Sequence, residues 1–202
     1  MGARTVYVDS RVREALRRGT KQVVLLGSGL DARALRFRGE AQFYEIDQPA
    51  TLDFKKETLG GDLPSRLLPA TDYLTTFSHL PSALADVGLD WSEPVIVVWE
   101  GNLPYVPRLE AQRLMTDLLA AGSRSSTTVV FDTMSSVVAR EDRKIHTGDR
   151  TLDAALERLM AAYGDGSNMW IGDWRPTDLP AHAHIADSTD SMTYVQALYG
   201  DP

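Results

Sequence analysis

The stretch Gln22-Val23-Val24-Leu25-Leu26-Gly27-Ser28-Gly29-Leu30-Asp31 decides the fold. A compact apolar run stops at a glycine pair, and the residues through Arg36 then suit a short helix, which makes the segment a buried strand, a tight turn and a helix start. Glycine lets a backbone turn sharply and approach a ligand with no Cβ in the way. Asp47 stands 20 residues after Gly27, at the end of a second strand, Phe43-Tyr44-Glu45-Ile46-Asp47. A carboxylate there can accept hydrogen bonds from both ribose hydroxyls of a nucleoside. Strand, turn, helix and acid together predict a nucleoside-type cofactor crevice at the carboxyl ends of adjacent parallel strands.

Outward from this unit, short apolar runs alternate with amphipathic stretches, the pattern of an α/β, doubly wound, mostly parallel sheet with helices on both faces. Further strands are expected at Pro94–Trp99, rich in β-branched residues, at Thr127–Phe131 and, shorter, at Leu67–Thr71. Ala111, Leu114, Met115, Leu118 and Leu119 put one apolar face on a helix from Pro107 to Ala121. Helices are also expected over Asp9–Arg18, Thr51–Leu59 and Leu80–Val87, and over Thr151–Tyr163, where Leu152, Leu156, Leu159, Met160 and Tyr163 share a face. Gly164–Ala183 shows no period and is expected as loop, and Met192–Tyr199 alternates as a final strand would. With no repeat and no low-complexity tract, residues 1–202 are expected to be one domain with a short N-terminal cap and an irregular segment near 164–190.

Composition narrows the function. Lys and Arg number 21 against 28 Asp and Glu, a net charge of −7, and there is no cysteine. Without cysteine there is no disulfide framework, thiolate zinc site or cysteine nucleophile, which suits the cytoplasm. The acidic balance disfavours nucleic acid as a partner. The longest apolar run, Val95–Trp99, falls far short of the roughly 20 residues that span a bilayer, so no membrane partner is expected. His182 and His184 are one residue apart without a clear third ligand, and His79 and His146 are expected at the surface; no metal is assigned.

Two cofactor classes fit the glycine turn. Gly27, Gly29 and Ala32 satisfy a dinucleotide fingerprint, which keeps NAD in view. Asp31 opposes it, because a carboxylate at the mouth of the helix would repel a pyrophosphate and compete for the same N–H groups. The sulfonium and ammonium of S-adenosyl-L-methionine tolerate acids there.

Arg4-Thr5, the run from Gln22 to Arg33, Tyr44-Glu45-Ile46-Asp47-Gln48-Pro49, Trp99-Glu100-Gly101 and Leu103-Pro104-Tyr105 resemble, in order and spacing, the leucine carboxyl methyltransferase family, which includes many bacterial S-adenosyl-L-methionine-dependent O-methyltransferases. The likeness runs from Arg4 to about Ala121. It implies a class I methyltransferase (Rossmann-like) fold and S-adenosyl-L-methionine as cofactor. Arg4 would then pair with the methionyl carboxylate, Gly27 and Gly29 would admit the methionine portion and ribose, and Asp47 would hold the ribose hydroxyls. Asp72 and Tyr73 would meet the adenine, and Glu100 would face the amino and sulfonium groups. Read without the family, Asp47 and Glu100 also suit ordinary strand-end acids, Asp72 a cap or turn, and Arg4 a surface charge. Family members usually have a longer N-terminal region, so a short cap predicts an open site or one completed in a homodimer.

Methyl transfer from a sulfonium needs donor and acceptor held collinear, about 3 Å apart, away from water. A carboxylate acceptor is already ionised at neutral pH and needs no general base. The expected function is O-methylation of a carboxylate on a small metabolite. Methylation of a peptide or protein C-terminal carboxylate and a non-catalytic, cofactor-binding accessory role are the alternatives. Asn102 and Tyr105, after the Pro94–Trp99 strand, are the candidates for positioning the acceptor. Arg33 suits either an acidic substrate or a structural pair with an acid on the first helix, and Trp170 and Trp174 either a lid or core.

Overall fold

The computed structural model describes residues 2–70, 79–103, 106–122, 127–133, 148–162, 176–189 and 193. Helix α1 (Ala3–Arg17) leads into strand β1 (Gln22–Leu26), the short helix α2 (Arg33–Arg36), β2 (Gln42–Asp47) and helix α3 (Pro49–Thr58). Then come β3 (Ser65–Pro69), α4 (Leu80–Asp86), β4 (Val95–Trp99), α5 (Arg108–Ala121), β5 (Thr127–Phe131), α6 (Arg150–Ala162) and a 3-10 turn at Pro176–Asp178. The five strands are all parallel, in the order β3-β2-β1-β4-β5. Chain progression reverses direction between β1 and β4, and a crevice opens above their carboxyl ends, where ligands bind in open sheets of this kind.

The alternation of each strand builds two cores. Val24, Leu26, Val95, Val97 and Trp99 face Leu80 and Leu84 of α4 and Leu114 and Leu118 of α5. Val23, Leu25, Ile96 and Val98 face Val8, Val12 and Leu16 of α1 and Phe37 after α2. β1 and β4 are buried along their whole length, as strands covered on both faces must be. Among the described residues, no helix is long and apolar enough to cross a membrane.

Three expectations shift. α1 begins at Ala3 rather than Asp9, because Val8 and Val12 pack on the sheet and Arg4 and Thr5 are tied to Glu100; tertiary contacts outweigh a first turn with no side-chain cap. β3 starts at Ser65 rather than Leu67, since pairing with β2 runs from Phe43↔Ser65 to Asp47↔Pro69. Pro69 offers no N–H, which is tolerated at the last rung of a strand with β2 on one side only. α6 starts at Arg150, where Asp149 Oδ1 accepts the N–H of Thr151 at 2.8 Å and of Leu152 at 3.2 Å. The expected final strand Met192–Tyr199 lies outside the described residues except for Thr193, which is helical.

Candidate functional site

The glycine turn is fixed to β2 by backbone and carboxylate. Ser28 N–H donates to Ile46 O at 3.0 Å, one rung beyond the paired strands, and Asp31 N–H donates back to Ser28 O at 2.8 Å. Gly29 N–H donates to Asp47 Oδ2 at 2.7 Å, and Gln48 N–H to Asp47 Oδ1 at 2.7 Å. The turn needs left-handed backbone at two places, φ 62° at Gly27 and 47° at Gly29, which only glycine adopts without strain. Beside Gly29 there is open space where a Cβ would stand. A pocket of about 290 Å³ opens next to the turn, lined by Arg4, Thr5, Gly27, Ser28, Arg33 and Glu100 with their neighbours.

Around that pocket runs an ionic network of unusual depth. Arg33, 2% exposed, meets three carboxylates: Nε is 2.7 Å from Asp9 Oδ1, Nη1 is 2.5 Å from Asp31 Oδ2, and Nη2 is 2.5 Å from Glu100 Oε2. Asp9, on α1 and buried, also accepts from Arg36 Nη2 at 2.8 Å. Arg4 Nε lies 2.9 Å from Glu100 Oε1 and its Nη1 lies 3.0 Å from Asp132 Oδ2. Thr5 Oγ1 donates to Glu100 Oε1 at 3.2 Å, and Gly101 N–H to Asp132 Oδ1 at 2.6 Å. Burial works against the charge of Arg33, but Asp31 and Glu100 outweigh it and hold the guanidinium pKa above its ordinary value. Arg4 is raised likewise, burial being outweighed by Asp132 and Glu100. Four carboxylates, Asp9, Asp31, Glu100 and Asp132, meet three guanidiniums, Arg4, Arg33 and Arg36, and of these acids Asp31 and Glu100 line the pocket itself.

The structure brings Arg4, Gly27 and Glu100 to one pocket, with Gly29 and Asp47 joined beside it. Arg33 takes the structural alternative: it pairs with Asp9 on the first helix and is buried. Asn102, expected beside the acceptor, lies over Gly27, where its Oδ1 accepts Trp99 Nε1–H at 3.1 Å. Asp72, Tyr73 and Tyr105 lie outside the described residues, as do His146, Trp170 and Trp174. His182 and His184 are exposed, and among the described residues no cluster of metal-binding side chains occurs. Four buried or bridging residues escape the sequence reading: Asp9, Asp132, Glu45 and Lys55. Asp132 follows β5 as Glu100 follows β4, so its strand-end position is the available signal. Glu45, a charge between Tyr44 and Ile46 inside a strand, is another.

The sequence model of the leucine carboxyl methyltransferase family matches residues 1–119. A candidate S-adenosyl-L-methionine-dependent methyltransferase from Mycolicibacterium smegmatis is 33% identical over 202 residues, covering 97% of this chain and 60% of the relative. One from Mycobacterium tuberculosis is 38% identical over 135 residues, 65% of this chain and 44% of the relative. The chain thus spans 60% or less of the length of these relatives. The crystal structure of a candidate methyltransferase from Thermobifida fusca superposes with a TM-score of 0.58 at 16% identity, over 84% of this chain and 61% of that one, a likeness of fold.

Proposed function

Because the chain belongs to the leucine carboxyl methyltransferase family, we propose that it binds S-adenosyl-L-methionine at the carboxyl ends of β1, β2 and β4 and methylates a carboxylate oxygen of a small metabolite. The observation that carries this reading is a glycine turn anchored to Asp47, with Asp31 and Glu100 in the lining of the pocket beside it. With Asp31 at the mouth of the helix and Glu100 across from it, such a site repels the pyrophosphate of a dinucleotide and attracts a sulfonium and an ammonium. It also binds less firmly once the sulfonium charge is gone, which favours release of the thioether product.

The residues present fit the cofactor. Each Asp47 oxygen accepts one backbone N–H and keeps a lone pair, enough for the two ribose hydroxyls. Gly27 and Gly29 keep the turn free of side chains where the ligand must approach the backbone. Arg4, half-exposed and held by Glu100 and Asp132 through Nε and Nη1, keeps Nη2 for the methionyl carboxylate, and Glu100 supplies an acceptor for the ammonium. When bound, the sulfonium would supply a methyl group to an acceptor oxygen, the C–O bond forming in line as the C–S bond breaks and leaves its electron pair on sulfur. The chain must then orient the two reactants and exclude water, since an ionised carboxylate needs no proton removed. Asn102, held by Trp99 over Gly27, stands at the turn that would admit the methionine portion, which supports its assignment beside the reacting methyl group.

Thermal-shift and calorimetric titration with S-adenosyl-L-methionine, S-adenosylhomocysteine and NAD tests the cofactor. Stabilisation by the first two is expected, and stabilisation by NAD alone would overturn the reading. Incubation with a panel of carboxylic acids, read by mass for the gain of one CH₂ and by its loss on alkaline ester hydrolysis, tests the reaction.

A further inference from the structure

Resting on that cofactor reading, we propose that Lys55 is a positioning residue that sets the glycine turn by holding the Asp31 carbonyl. Lys55 on α3 is 1% exposed and Glu45 on β2 is 0% exposed, so both charges have left water completely. Lys55 Nζ donates to the Glu45 carboxylate and, at 2.7 Å, to Asp31 O. Ser65 Oγ on β3 donates to the other Glu45 oxygen at 2.8 Å. An ion pair buried this deeply adds little net stability over an apolar pair of the same shape, because desolvation offsets the attraction. What an apolar pair lacks is the donor to Asp31 O.

That carbonyl is the third of three points at which the turn is fastened to β2 and the helix after it. The first two are Ser28 N–H to Ile46 O and Gly29 N–H to Asp47 Oδ2. From Asp31 the constraint spreads both ways. Its carboxylate accepts Arg33 N–H at 2.8 Å and meets the Arg33 guanidinium, which in turn touches Glu100. Lys55 therefore fixes the spacing between the Asp47 side and the Glu100 side of the crevice while touching neither. An ammonium suits this role, because the long stem reaches from α3 and three N–H groups serve a carboxylate and a carbonyl together.

The test separates positioning from plain stability. K55M alone strands the Glu45 charge and destabilises the fold, so the informative variant is E45Q/K55M, which removes both charges and nearly conserves shape. Its urea midpoint is expected to fall only slightly, by the loss of the donor to Asp31 O, while its affinity for S-adenosyl-L-methionine falls by about tenfold or more, the scale of one lost charge-assisted hydrogen bond. A wild-type affinity in this variant overturns the inference. Should the pair not fold, E45Q/K55Q, whose amides can bond to each other, gives the same readouts. Amide hydrogen exchange without cofactor is the independent measure: Gly29 and Asp31 exchange faster in the variant while β4 does not, and equal protection of the turn overturns the inference. A wild type that binds no S-adenosyl-L-methionine defeats the proposed function instead, and leaves the exchange measurement to decide the role of Lys55.

Discussion

Asn102 closes over Gly27 so tightly that a Cβ built on the glycine would stand 2.6 Å from the Asn102 amide carbon and 2.8 Å from its Cβ and Nδ2. Gly27→Ala therefore meets two obstacles, a left-handed backbone and an overlap, and is expected to cost about 2–4 kcal/mol by urea denaturation. Adding Asn102→Ala removes two of the three overlapping atoms and should restore about 1–2 kcal/mol. Gly29→Ala has the strained backbone but open space, so about 1–2 kcal/mol is expected. Equal losses at the two glycines would show that Asn102 is not packed as described.

Asp47 holds two backbone donors, Gly29 N–H and Gln48 N–H, each at 2.7 Å, and, in the proposed function, the ribose. Asp47→Asn keeps the shape, loses the charge and can present only one acceptor oxygen. Affinity for S-adenosyl-L-methionine should fall by about 1–3 kcal/mol, measured by calorimetry. Adenosine should lose a similar amount and methionine almost nothing, because the carboxylate is assigned to the ribose alone. Unchanged adenosine binding would remove that assignment.

These two sites were legible in the sequence because strand, glycine turn and strand-end acid lie within 20 residues and each has a local physical signature. The five described strands and the apolar face of α5 were legible for the same reason: period and punctuation are local. The ionic network was not. Arg33 meets Asp9 and Glu100 from 24 and 67 positions away, and a buried arginine looks in sequence like any arginine on a helix face. Lys55 follows Phe54, which is exposed, so helical period alone does not say which of the two turns inward. The loop of Asn102 was legible and its neighbours were not, since only the fold reveals that Trp99 holds its amide over Gly27.

Arg33 offers a direct measure of that network. Arg33→Met leaves the Asp31 and Glu100 carboxylates without their shared guanidinium and is expected to destabilise by about 3–5 kcal/mol. Arg33→Lys should recover only part, because a single ammonium nitrogen cannot stand at the three separate positions from which Nε, Nη1 and Nη2 meet Asp9, Asp31 and Glu100. Arg38→Ala is the control: its partner Asp62 is 80% exposed, and about 0.5 kcal/mol or less is expected. Added salt should shrink the small effect and spare the large one. A loss at Arg33 as small and salt-sensitive as that at Arg38 would mean the cluster is open to water.

Tyr44 gives the fold an alkaline limit. Its ring is buried, its O–H donates to Gly88 O at 2.8 Å, and Arg66 lies 5.8 Å over the ring. Burial pushes the phenol pKa above the ordinary tyrosine value, Arg66 pulling back more weakly. In the unfolded chain the same phenol ionises at about pH 10. Above that pH unfolding releases a proton, so the stability Tyr44 contributes is whole at lower pH and drains away as pH rises toward the folded pKa. At neutral pH Tyr44→Phe should cost about 1 kcal/mol, because the Gly88 carbonyl loses its donor. Followed by urea midpoint, the gap between wild type and Tyr44→Phe should narrow above about pH 10. A gap that stays constant through that range would show that the phenol ionises as easily in the folded chain as in the unfolded one.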